Sequence, residues 1–114
     1  MATSTVRLFD TAVLVDTGVT ISQPVSMQDA NTVFLTVVVI VKGGTSLNPT
    51  LEGSSDLSSW KQITTSGWTN PGAVGYTAEA IQQNVGYQYV RVVFTGVGSG
   101  TWVFTADLTT SIIG

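Results

Sequence analysis

Apolar and polar positions alternate along much of this chain, and the longest such stretch is Asn31–Lys42, NTVFLTVVVIVK. Side chains of an extended strand point to opposite faces in turn. One face therefore carries Val33, Leu35, Val37, Val39 and Val41 without a polar break. The other carries Thr32, Phe34, Thr36, Val38, Ile40 and Lys42. The β-branched run disfavours helix and suits a pleated sheet. A strand with one wholly apolar face belongs in a sandwich. Its second face is also partly apolar, and such a face meets a covering loop, another subunit or a larger assembly.

The alternation recurs downstream. Tyr87–Thr95 places Val90, Val92 and Phe94 on one face, with Tyr87, Tyr89, Arg91 and Val93 on the other. Thr101–Thr109 turns Trp102, Phe104, Ala106 and Leu108 inward, with Thr101, Val103, Thr105, Asp107 and Thr109 outward. Shorter strands are predicted over Thr5–Phe9 and Ala12–Val15, a single strand interrupted near Asp10. Others are predicted over Val19–Ile21, Thr50–Gly53 and Trp60–Thr64, while Tyr76–Gln83 reads as one helical turn or a strand, with strand or irregular structure favoured. Between them lie Thr17-Gly18, Pro24, Gly43-Gly44 with a loop over Thr45–Pro49, the Ser-rich turn Ser54–Ser59, and Asn70-Pro71-Gly72. Gly96–Gly100 reads as a hairpin loop. Turn signals roughly 8–12 residues apart, without a helix-length amphipathic segment, predict an all-β antiparallel sandwich of jelly-roll type. The length of 114 residues predicts one domain, 1–114, with short terminal arms.

Composition narrows the function. Charged residues make up 10% of the chain, against about 25% in ordinary domains. Such low charge suits a subunit whose surface is partly covered, and a homo-oligomer is expected. Arg7, Lys42, Lys61 and Arg91 are scattered and the net charge is −3, so no nucleic-acid partner is expected. MATSTVRLFD has no signal-peptide pattern, and Val33–Val41 is too short to cross a bilayer. The expectation is assembly in a cytoplasm without a membrane partner.

Cysteine and histidine are both absent, which removes disulfides, thiolate chemistry and the commonest general base and metal ligand. The carboxylates are Asp10, Asp16, Asp29, Glu52, Asp56, Glu79 and Asp107, and no spacing pairs two of them as a glycosidase requires. Asp56 lies in a turn where an Asx-turn accounts for it, and a lone carboxylate is a poor calcium site. No catalytic residue, metal or cofactor is expected. Trp102 is core by alternation, and Trp60 is expected in the core too. Trp68, in SGWTNPG, is the candidate platform for a sugar ring, unless it folds down over a sheet edge. The candidate partner interface is Phe34, Val38 and Ile40, together with Ile112 and Ile113 at an end that would otherwise fray.

The segment Leu51–Ile63, LEGSSDLSSWKQI, followed by Tyr89-Val90-Arg91-Val92, resembles discoidin-like and related jelly-roll sandwiches. It is also similar to small β-sandwich proteins of tailed-phage particles. The resemblance implies that Trp60 and the YVRV strand are core elements. It carries over no binding residue, because discoidin binding loops vary, and this chain is shorter and lacks their bridging cysteines. Together with the composition it implies a non-enzymatic virion protein, a capsid decoration subunit contacting the major capsid protein or other virion subunits. A carbohydrate-binding module of a host-recognition apparatus, or a tail or baseplate component, is the alternative.

Overall fold

The long apolar alternations become strands of two sheets that share one core. The computed structural model describes residues 3–63, 68, 70–82 and 85–112, with backbone alone for residues 3 and 76–82. Among these residues the chain forms nine strands and no helix. In order they are β1 (Thr3–Val15), β2 (Val19–Ile21), β3 (Val25–Ser26), β4 (Thr32–Val41), β5 (Ser46–Ser54), β6 (Lys61–Ile63), β7 (Gly75–Gln82), β8 (Tyr89–Val97) and β9 (Thr101–Ser111). One sheet runs β1-β9-β4-β7 and the other β2-β8-β5-β6, with β3 also paired to β8. Every pairing is antiparallel. With the two-residue β3 set aside, this strand order is that of a jelly-roll sandwich.

The nine residues Val33, Leu35, Val37, Val39, Val90, Val92, Trp102, Phe104 and Leu108 are all at most 1% exposed. They come from β4, β8 and β9, whose period-2 patterns turn one apolar face inward. Three rings tie the sheets together. Phe94 of β8 and Phe104 of β9 face each other across the sandwich with centroids 4.9 Å apart. Phe9 of β1 meets both edge-on, at 5.9 Å from each. It reaches them because β1 slips register between Arg7 and Phe9 and again between Phe9 and Ala12. These bulges lie at the interruption expected near Asp10, and β1 continues through it as one strand.

Four sequence expectations need correction. Gly96–Gly100 is not a hairpin loop, because β8 pairs with β2, β3 and β5 while β9 pairs with β1 and β4. The loop crosses between the sheets, with Gly98 at φ 90° and Gly100 at φ 138°, conformations that favour glycine. Asp16 clamps it: its backbone N–H donates to the Gly100 carbonyl at 2.6 Å, and its Oδ1 accepts the Gly100 N–H at 2.8 Å. Thr45–Pro49 is mostly strand, since β5 begins at Ser46 and pairs with β8 from there. Pro49 fits because, among the described residues, β6 accompanies β5 only over Leu51–Gly53, leaving that side of β5 unpaired at the proline. Val41 faces out, not in, because the β4–β9 register slips between Val39 and Val41. Trp60 is half-buried outside the core, with the Arg91 guanidinium 4.2 Å above its ring and Arg91 itself bonded to Glu52 at 2.7 Å.

Tyr76–Gln83 resolves as strand over β7, with residue 83 outside the described residues. Phe104→Ala removes one of the three rings that join the sheets and should cost about 3–5 kcal/mol in chemical denaturation. A cost below about 0.5 kcal/mol, the usual range for surface positions, would contradict this core assignment.

Candidate functional site

The outer face of the β1-β9-β4-β7 sheet follows from the register. Arg7, Asp107 and Thr36 form one row across β1, β9 and β4. Arg7 Nε lies 2.6 Å from Asp107 Oδ1 and its Nη1 lies 3.6 Å from Asp10 Oδ1, while β7 brings Glu79 into register beside Thr36 in the same row. The half-exposed Arg7–Asp107 pair contributes little to stability, roughly 0–1 kcal/mol. Toward one end of the sheet, Val13, Val103 and Val41 are in register on the same three strands. Val15 lies beside Thr101 at the next outward position of β1, and Val38 lies beside Thr105 on β4. Ile40 and Val41 both face solvent at the bulge, 50% and 47% exposed. Val13 and Val15 are 60% and 56% exposed.

The structure gathers only part of the predicted interface. Phe34, Val38 and Ile40 share this outer face, with Phe34 and Val38 half-buried between their neighbours on adjoining strands. Ile112 does not join them. It is 39% exposed and lines a depression of about 220 Å³ with Ser4, Met27, Gln28, Asp29, Ala30 and Thr110. That depression lies at the opposite end of β4 from Ile40, roughly 25–30 Å away at ~3.3 Å per residue. Ile113 lies outside the described residues. Trp68 is folded down: it is half-buried, packs against the core, and its indole N–H is buried without a partner among the described residues. Among the described side chains no aromatic ring is fully exposed.

Val13, Val15, Val41 and Val103 were not singled out from sequence as interface residues. A signal was present at Ala12–Val15, AVLV, which is apolar on both faces. Val41 was hidden by the bulge, which reverses the face that strict alternation assigns it.

The Ser54–Ser59 turn accounts for Asp56 locally. Its Oδ1 accepts the backbone N–H groups of Ser58 at 2.9 Å and Ser59 at 2.8 Å, and the Ser54 hydroxyl at 3.0 Å. The N–H of Ser59, then that of Ser58, then the Ser54 hydroxyl hold this carboxyl below the usual carboxylate range. Among the described residues no group of three or more carboxylates is placed to hold a metal ion.

The turn yields a pH prediction. Its bonds favour the ionised form, so the folded pKa lies below the unfolded one. The stabilisation is complete above the unfolded value and is lost as pH falls through the folded value. The Asp56 carboxyl carbon, followed by NMR, should titrate below about 3.9, the ordinary aspartate value. Amide protection at Ser58 and Ser59 should fall in the same step. Titration at or above the ordinary value would contradict the bonding described. In comparisons with known proteins, no protein-family model matches this chain, and no curated protein matches it either.

Proposed function

We propose that this protein is a non-enzymatic structural subunit of a tailed-phage virion, a capsid decoration protein that docks on neighbouring shell subunits. The observation that carries the reading is the outer face of the β1-β9-β4-β7 sheet, where Phe34, Val38 and Ile40 lie with a row of exposed valines at one end. Lone domains seldom leave such a face wet. The resemblance of Leu51–Ile63 and Tyr89–Val92 to small phage-particle sandwiches points the same way. Burying one large apolar side chain is worth roughly 1.5–3 kcal/mol. Several together offset the cost of immobilising a small subunit. Binding to the assembled shell and not to its dissociated subunits stabilises the shell by mass action. The sugar-binding alternative calls for exposed rings clustered at one end, and the described aromatic side chains do not supply them.

The test is co-migration with intact particles in a density gradient. Wild-type protein should travel with the particles in high copy. Phe34→Ser and Ile40→Glu should each reduce the bound fraction at least tenfold while the free protein still melts cooperatively. Wild-type protein that stays at the top of the gradient would overturn the reading. So would both variants binding like wild type.

A further inference from the structure

We infer that the depression at the open end of the sandwich is a socket for the ammonium head and alkyl stem of a lysine side chain on a neighbouring subunit. The chemistry of the socket is read from this chain alone. That the lysine belongs to a virion neighbour rests on the docking reading above. The depression lies at the far end of β4 from the valine row, so it is a separate contact.

The inward positions of β9 run Trp102, Phe104, Ala106, Leu108 and then Thr110. The first four are apolar and fully buried, while the fifth carries a hydroxyl and is 5% exposed. Thr110 stands in one row with Ser4 of β1 and Val33 of β4. Its neighbour Thr109, on the outer face, bonds to Thr5, but Thr110 makes no side-chain hydrogen bond among the described residues. Buried polar groups normally find a partner, and this one lines the depression. Met27, Ala30 and Ile112 supply the apolar lining. The rim is a tight turn, in which the Ala30 N–H donates to the Met27 carbonyl at 2.7 Å and Gln28 takes φ 51°. The turn is tied down on both sides. The Met27 N–H donates to the Gln88 carbonyl at 2.8 Å, and the Asn31 N–H to the Ser111 carbonyl at 3.0 Å. Gln28 and Asp29 are thereby held at the mouth.

Charge and hydrogen bonding select the occupant. Asp29 is the one charged residue of the lining, and its carboxylate has no hydrogen bond or ion pair among the described residues. Arg7 is engaged by Asp107 and Asp10, and Arg91 by Glu52. Lys42 follows the opposite end of β4, and Lys61 lies on β6, three strands from β3. The carboxylate, the Gln28 amide oxygen and the hydroxyls of Ser4 and Thr110 all accept hydrogen bonds, and an ammonium offers three donors and no acceptor. These acceptors come from β1, the turn and β9, so they do not form the single planar pair that suits a guanidinium. A lysine stem packs along apolar surface while its head stays in polar surroundings. At about 220 Å³ the depression is smaller than the sites of drug-sized ligands and matches a single side chain.

The test is NMR of the free protein with Nα-acetyl-lysine methylamide as probe, at constant ionic strength. The methyl signals of Met27 and Ile112 should shift saturably. The norleucine analogue, which has an alkyl stem but no ammonium, should bind at least threefold more weakly. Asp29→Asn, in an exposed turn, should weaken binding of the lysine probe at least threefold while melting like wild type. Thr110→Val should weaken it about twofold by removing one acceptor. Absence of a saturable shift, equal binding of the two probes, or wild-type binding by Asp29→Asn would overturn the inference. So would probe binding that appears only after residues 1–2 are removed, since the chain's own end would then be the occupant. Probe binding by a protein that never joins particles would end the decoration reading and leave the socket standing. Particle binding with no response to the probe would do the reverse.

Discussion

The contact on which the structure depends is the meeting of Phe94 and Phe104 across the sandwich, with Phe9 wedged against both. The chain has no disulfide and few ion pairs among its described residues, so burial between the sheets supplies most of its stability. β8 and β9 are joined by a short glycine loop but lie in different sheets. The two rings are thus held on successive strands that face each other and do not pair. Asp16 holds the crossing loop by backbone and side-chain bonds, so the same end of the molecule fixes both the loop and the β1–β2 turn.

This arrangement explains why two surfaces of the same strand differ. The inner face of β4, with Val33, Leu35, Val37 and Val39, is buried in the core between the sheets. The outer face lies on the solvent side of a four-stranded sheet, yet it keeps Phe34, Val38 and Ile40. A sandwich needs only one apolar face per sheet. The apolar outer positions therefore add nothing to the two-sheet core, and a docking role gives them a physical reason.

Much of the fold was legible in the sequence because its signal is local. Strict alternation in β4, β8 and β9 identified the buried residues one by one, and turn residues marked most strand ends. The failures have local causes too. Pro49 reads as a loop residue, and only the absence of β6 beside it makes a strand position tolerable. A glycine loop between two alternating strands looks the same whether the strands pair or cross. Its identity is set by β5 and by β1 and β4, partners far away in sequence. The candidate site was half legible. Phe34, Val38 and Ile40 followed from the period of β4. The valine row needed the register of three strands and a bulge that no single segment encodes.

The central claim is that the outer face of the β1-β9-β4-β7 sheet is covered in the functional assembly. Hydroxyl-radical footprinting tests it most directly, by comparing dilute free protein with particle-bound protein. The account predicts strong protection at Phe34, Val38, Ile40 and Val41, with labelling unchanged at Ile21 on the other sheet and at Leu57 in the Ser-rich turn, both exposed. Equal labelling of the outer-face residues in the two states, or protection confined to Ile21 and Leu57, would contradict it.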